Sequence, residues 1–408
     1  MGMNLKYGMG GLEGGWGRGL SFLVRNGFGG GMEGRWFTEA GVTVLGGSRL
    51  GTERGEWGGL RDWDMGDGGG GFGEYRGRGV RFCRVGGVVV FWWRKDGCAI
   101  HRSLLWGTWR WSTKQEVVVN LYKSNGIGRM RIYYPDEKAI QAFQGSNIEL
   151  LLDVDKETIQ SLTDVGAATD WVSKYVSPYS PDVTFRYINV GNNIRPSDTE
   201  AQYILPAMQN IHNAISAVNL QRQIKVSTAI PISLINIYYA PNNSEFTSDA
   251  SSYIKPIVSF LVKNGAPLLA NLYPYKLYAN NYQSFSLDYA LFNQPATNDV
   301  GYQNLFDSML GSVYVALEKI GAPNLRIVVS DSGWPSKGGF GASVENAGSY
   351  YQNLIKHVNG GTPKKPNGPI KAYLFALFDE DGKQGAETER HFGLFRPDKS
   401  PKYQLNFK

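Results

Sequence analysis

From about Lys114 to the C-terminus, apolar runs of strand length alternate with amphipathic stretches of helix length. That alternation leaves the chain very few architectures to choose from. The strands read Met130–Tyr134, Ile148–Val154, Phe185–Gly191, Ile224–Ile230, Pro267–Tyr275, Arg326–Trp334 and Lys371–Glu380. Helices are expected near 114–125, 136–144, 156–177, 199–219, 250–264, 302–320 and 343–358. Several of them run into a glycine (Gly126, Gly145, Gly265, Gly321), the residue suited to a turn with positive φ. Buried strands joined through helices imply a parallel sheet, and seven strands are one short of a closed (β/α)₈ barrel. The competitor, an open doubly wound sheet, needs a nucleotide-type glycine loop after a strand, and none of these strands carries one.

The first 112 residues have a different texture. They hold 32 of the 52 glycines, 9 of the 11 tryptophans and both cysteines, Cys83 and Cys98, and all 18 prolines lie from Pro135 onward. They also carry 15 basic against 10 acidic residues, so the net charge of +6 belongs mainly to this end. So much glycine disfavours regular elements, and residues 1–112 are expected to be a low-complexity, unstructured segment. Gly71 to Gly79 interleaves arginine with aromatics as a nucleic-acid arm would, but the acidic residues dilute the field, so no nucleic-acid partner is expected. The bland reading is G-rich DNA translated in an unselected frame. Arg81–Trp93 could form a strand by composition. No apolar run approaches the roughly 20 residues that span a bilayer, and the start does not read as a secretory signal. Two cysteines allow at most one bridge and no metal-ligand spacing involves them.

In a barrel of this kind chemistry sits at the C-terminal ends of the strands. Those ends read Arg131-Ile-Tyr133, Val190-Gly-Asn192-Asn193, Asn271-Leu-Tyr273-Pro-Tyr275, Ser330-Asp331-Ser-Gly-Trp334 and Phe375-Ala-Leu-Phe378-Asp-Glu380. Aromatic faces beside amide hydrogen-bonding groups suit sugar rings, which offer C–H faces and hydroxyls. Each aromatic taken alone is more often core filling. Five strand ends with the same character point to a carbohydrate cleft.

At these ends the chain resembles glycoside hydrolase family 17, the plant endo-β-1,3-glucanases and their lichenase relatives. The resemblance runs from about Lys114 to Phe407 through LYKSNGIGRMRIY (121–133), GSNIELLL (145–152), YILPAMQNIHNAISA (203–217), APLLANLYPY (266–275), SGWPS (332–336) and HFGLF (391–395). It implies a (β/α)₈ barrel with a groove for β-1,3-glucan or mixed-linkage β-glucan, and retaining hydrolysis by two glutamates. It implies no metal or cofactor, a secreted protein and a monomer. Where the family has the acid/base motif V-G-N-E, this chain reads Val190-Gly191-Asn192-Asn193. Where the family has the nucleophile in S-E-S-G-W-P, it reads Ser330-Asp331-Ser332-Gly333-Trp334-Pro335. Glu380 and Lys383 match an acid and a lysine after the last strand, and Glu389 a further groove glutamate. Tyr133, Asn192, Asn271, Tyr273, Phe375 and Phe378 match groove positions. The bland alternative for Glu380–Lys383 is a partly exposed ion pair contributing about 0–1 kcal/mol. His101, His212, His357 and His391 have no Ser or Cys partner pattern and are read as structural. The family's first strand is not recognisable here, so seven of eight strands are expected.

Retaining hydrolysis needs a carboxylic acid to protonate the leaving oxygen and a carboxylate to attack the anomeric carbon, about 5–5.5 Å apart. Asn193 has no proton to give, and losing a general acid removes a factor of about 10²–10⁴. Asp331 keeps the charge on an arm one methylene shorter, and a misplacement near 1 Å can cost about 10². Three readings follow: an impaired glucanase, a glucan-binding protein without turnover, or a decayed or mispredicted gene product. A sequon at Asn242-Asn243-Ser244 matters only in an exported chain.

Overall fold

A computed structural model describes residues 42–45, 74–77, 80–85, 88–92, 115–237, 241–294 and 301–407. The chain divides into two units, Met1–Leu105 and Trp106–Lys408. In the first, strands β1 (Val42–Leu45), β2 (Glu74–Gly77), β3 (Val80–Val85) and β4 (Val88–Trp92) pair antiparallel in the order β1-β4-β3-β2. The single strand expected at Arg81–Trp93 is a hairpin, with Val85 opposite Val88 and Gly86-Gly87 between them. The rest of the expected unstructured segment lies outside the described residues, as does His101.

The second unit is a parallel sheet of seven strands flanked by helices, nearly closed into a barrel. Its strands are β5 (Arg129–Ile132), β6 (Glu149–Asp153), β7 (Phe185–Asn192), β8 (Lys225–Pro231), β11 (Leu268–Asn271), β12 (Ile327–Ser332) and β13 (Ala372–Leu374). They stand in chain order, β5 and β13 being the two ends of the sheet. A small antiparallel pair, β9 (Ile235–Asn236) and β10 (Glu245–Phe246), sits on the connection after β8. Sequential strands joined by helices on one side give this order, because βα crossovers are right-handed. The glycines expected to end helices do turn with positive φ: 72° at Gly126, 61° at Gly145 and Gly265, and 87° at Gly321.

Three elements differ from expectation. The helix expected over 156–177 is two short 3₁₀ turns followed by a helix from Val165 to Tyr175, because Asp164 caps its start by accepting from the Ala167 N–H at 2.9 Å. The strand expected at Pro267–Tyr275 ends at Asn271. Pro274 then opens a helix, Pro274–Asn280, at a first-turn position where its missing N–H costs nothing. The last strand is three residues long, and the chain from Phe375 to Glu380 runs irregularly over the barrel mouth.

Side chains of a strand alternate between faces, so residues two apart point the same way. Leu151, Tyr187, Ala229, Leu269, Val328 and Tyr373, one from each of six strands, form a buried apolar layer inside the barrel. Two residues further along the same strands come Asp153, Asn189, Asn271 and Ser330, all buried. A polar layer thus rests on an apolar plug, which fixes the floor of the candidate site.

Candidate active site

Arg131 of β5 organises this polar layer. Its Nη2 and Nε donate to the two Asp153 oxygens at 2.6 and 3.1 Å. Its Nη1 donates to Asn271 Oδ1 at 3.3 Å and to the Ser330 carbonyl at 3.2 Å, and lies 3.1 Å from Asp331 Oδ2. The guanidinium side chain is only 3% exposed. Burial opposes its charge, but the carboxylates of Asp153 and Asp331 outweigh that and keep it protonated well above its ordinary value. Asn189 Nδ2 completes the shell of Asp153 at 2.8 Å. A charge this deep is tolerated because every donor direction described for it meets an acceptor.

Asp331 is 3% exposed and both its oxygens are taken: Oδ1 accepts from the Tyr133 hydroxyl at 2.6 Å and Oδ2 faces Arg131. Burial pushes its carboxyl above the ordinary 3.8, against the opposing pull of Arg131 and the hydroxyls of Tyr133 and Tyr273. Its aim comes from a bulge. On β11 and β12, Ala270 pairs with Val329 but Asn271 pairs with Asp331, so Ser330 is an extra residue. The β13 side repeats the shift, with Ala372 opposite Val329 and Leu374 opposite Ser332. An extra residue reverses the alternation and turns the next side chain into the cleft.

The second strand end is built the same way. Asn189 pairs with Ser227 and Asn192 with Ala229, three steps on β7 against two on β8. Gly191 sits at φ 86°, and a Cβ there would press on the Ile204 side chain. Asn193 follows at φ 58°, a left-handed conformation that asparagine tolerates better than most residues. Its Oδ1 accepts from Asn271 Nδ2 at 2.9 Å, while Asn192 Oδ1 accepts from the same nitrogen at 2.8 Å. Asn271, expected to touch substrate, is instead 2% exposed and positions the other two asparagines; Ser330 Oγ in turn donates to its Oδ1 at 2.7 Å.

A cavity of about 880 Å³ opens over these strand ends, lined by Tyr133, Asn192, Asn193, Tyr273, Asp331, Phe375, Phe378, Glu380, Lys383 and Glu389. The residues given catalytic or groove roles at the sequence level all meet here except Asn271, which lies just beneath. Tyr133 and Tyr273 both present their rings edge-on to Phe375, with centroids 6.1 and 6.0 Å away. Glu380 receives a hydrogen bond from Lys383 at 2.8 Å. Glu389 faces Lys276 at 2.8 Å and Lys383 at 3.5 Å. Burial works to raise Glu389, but those two ammonium groups prevail and hold its carboxyl below the ordinary range. The cavity also runs down between the edge strands β5 and β13, past Ile132 and Leu374.

Arg131, Asp153, Asn189, Ser330 and Lys276 were not assigned site roles from the sequence. The first two carried a usable signal, a charged residue inside an apolar strand, which is costly unless paired. His357 lies 2.8 Å from Asp307, and His212 packs edge-on against Phe260, both outside the cavity. Among the described residues no group of three or more His, Cys, Asp or Glu is placed to hold a metal ion, and no helix is long and apolar enough to cross a membrane.

A family profile described as glycosyl hydrolases family 17 matches residues 111–407. The chain belongs to this family. A glucan endo-1,3-beta-glucosidase of Vitis vinifera is 53% identical over 298 residues, spanning 71% of this chain and 86% of that protein. One of Glycine max is 61% identical over 253 residues, 61% of this chain and 98% of the other. Among solved structures, CJP38, a beta-1,3-glucanase and allergen of Cryptomeria japonica pollen, superposes with a TM-score of 0.70 at 41% identity, over 72% of this chain and 95% of that one. A plant beta-glucan endohydrolase gives 0.69 at 38% identity, over 72% and 96%. The chain is thus a β-1,3-glucanase-like member of family 17 with the barrel of its neighbours.

Proposed function

We propose that this family 17 protein binds β-1,3-glucan in the cleft over Asp331 and Asn193 and hydrolyses it poorly or not at all. The observation that carries the reading is the state of the cleft's titratable groups. Asn193 offers an amide where the family's pattern has its proton donor, and an amide can donate a hydrogen bond without giving up a proton. Of the other carboxylates lining the cavity, Glu149 is paired with Arg129 at 3.2 Å, Glu380 is bonded to Lys383 and Glu389 is held ionised between two lysines. An ionised carboxylate cannot serve as the general acid. Asp331 retains a carboxylate for the nucleophile's part, but Tyr133 and Arg131 occupy both of its oxygens and hold it 3% exposed. The aromatic and amide lining does not depend on either change, so sugar binding survives the loss of turnover.

The test is laminarin hydrolysis by the unaltered chain beside its Asn193→Glu/Asp331→Glu double variant, with laminarin binding measured for both. The double variant is expected to turn over at least about 10⁴-fold faster, with both proteins binding the polymer. Comparable hydrolysis by the two would refute the assignment of Asn193 and Asp331 as the impaired positions.

A further inference from the structure

We propose that Phe340 and Tyr282 form a second sugar-binding platform, outside the catalytic pocket, that carries a long β-glucan chain past the rim of the cleft. The proposal rests on reading the cleft as a glucan site.

Phe340 is 56% and Tyr282 52% exposed, and their ring centroids stand 4.7 Å apart. Among the described residues the only other exposed aromatic is Tyr133, at 37%, which lies in the cleft itself. The remaining large exposed apolar side chains are valines. Two solvent-facing rings in contact with each other are therefore a local feature of one spot, not a general property of the surface.

The ring of Phe340 is held from below. The Gly341 carbonyl accepts from Trp334 Nε1 and from Asn346 Nδ2, both at 2.9 Å. Gly338 and Gly341 turn at φ 94° and 69°, and a Cβ on Gly341 would come within 2.7 Å of the Tyr278 ring. Tyr278 packs against both Trp334 and Phe340, at 5.7 and 5.8 Å between centroids. The loop tip is thus fixed by packing and hydrogen bonds, as a binding surface requires.

The platform is built on elements that also form the cleft. Trp334 lies three residues beyond Asp331. The helix Pro274–Asn280 starts beside Tyr273, carries Lys276 on the cavity wall and Tyr278 under Phe340, and ends just before Tyr282. Seven residues of helix extend about 10 Å, the length of the element that joins Tyr273 at the cavity to Tyr282. On the other flank Gly338 packs against Glu387 and Thr388, next to the cavity residue Glu389. Glucose rings present C–H faces that stack on aromatic rings, and the Tyr282 hydroxyl can meet a sugar hydroxyl. A protein partner fits less well, because two rings offer far less than the surface a stable interface buries. The expected substrate preference is for polymer over short oligosaccharide, since only a long chain reaches both places.

The experiment measures calorimetric affinity of the unaltered chain and of Phe340→Ala, Tyr282→Ala, the double variant and Phe340→Trp for laminarin and for laminaritriose, with thermal unfolding as a control. The double variant is expected to bind laminarin about fivefold more weakly or worse while its affinity for the trisaccharide and its melting temperature stay unchanged. Phe340→Trp should keep the polymer affinity. Unchanged laminarin affinity in the double variant, or an equal loss for both sugars, overturns the platform. If the unaltered chain binds neither sugar, the cleft reading fails first and the platform with it.

Discussion

Arg131 shows how much of this site one residue decides. It joins two acids from distant strands, Asp153 at the end of β6 and Asp331 near the end of β12, and it shares Asn271 with Asn193. One cation between two buried carboxylates leaves burial dominant, and both acids sit above their ordinary 3.8. For Asp153 as for Asp331, burial outweighs the pull of Arg131. The folded chain therefore keeps these protons to higher pH than the unfolded chain does. Their stabilising contribution is full below 3.8 and is lost as pH rises through the raised values. Urea unfolding across a pH series should show stability from this cluster declining with rising pH through that window, and Asp331→Asn should flatten the decline. An unaltered slope in that variant would mean that burial and the pull of Arg131 cancel at Asp331, and a steeper decline would mean that Arg131, not burial, governs it.

At the scale of elements, glycines divide into those that end a helix and those that let two elements touch. Gly265 closes the helix Ser248–Asn264 in a left-handed conformation, and nothing lies within 4 Å of the place its Cβ would occupy. Gly333 has ordinary φ, but a Cβ on it would overlap the carbonyl oxygen of Phe375. That carbonyl also accepts from the Tyr351 hydroxyl at 2.6 Å, which ties the last strand's exit to the segment after Asp331. Gly265→Ala is expected to cost about 1 kcal/mol, the ordinary penalty for positive φ. Gly333→Ala should cost several times more in denaturant unfolding and should weaken laminarin binding, because the backbone two residues beyond Asp331 must move. Equal costs for the two would show that the Phe375 contact relaxes freely.

For the molecule as a whole, the telling feature is a barrel of seven described strands whose ends, β5 and β13, each pair on one side only among the described residues. Edge strands carry backbone groups without ladder partners, and such strands open more readily than central ones. Hydrogen exchange should therefore run faster in Arg129–Ile132 and Ala372–Leu374 than in the buried central strand Leu268–Asn271, which is paired on both sides. Equal protection would mean that β5 and β13 are paired to something further in solution. The same opening explains why the cavity runs down past Ile132 and Leu374 and does not end at the barrel mouth.

The order of strands and helices, the parallel sheet, the glycine-terminated helices and the set of residues at the strand ends were all legible in the chain, because hydrophobic period and turn chemistry are local properties. Two expected boundaries failed where a local cap won: Asp164 restarted a helix, and Pro274 ended a strand reading early. The clash between apolar strand and single charge at Arg131 and Asp153 was also visible, though not which partners they would find. What the sequence could not contain is the pair of bulges, at Ser330 on β12 and before Asn192 on β7. Each is defined only by the register of a neighbouring strand far away in the chain. Those bulges turn Asp331 and Asn192 into the cleft, and the anchored loop that lifts Phe340 beside Tyr282 likewise exists only once Trp334, Tyr278 and Asn346 have packed beneath it. Local chemistry chose the elements; long-range register and packing chose where their side chains point.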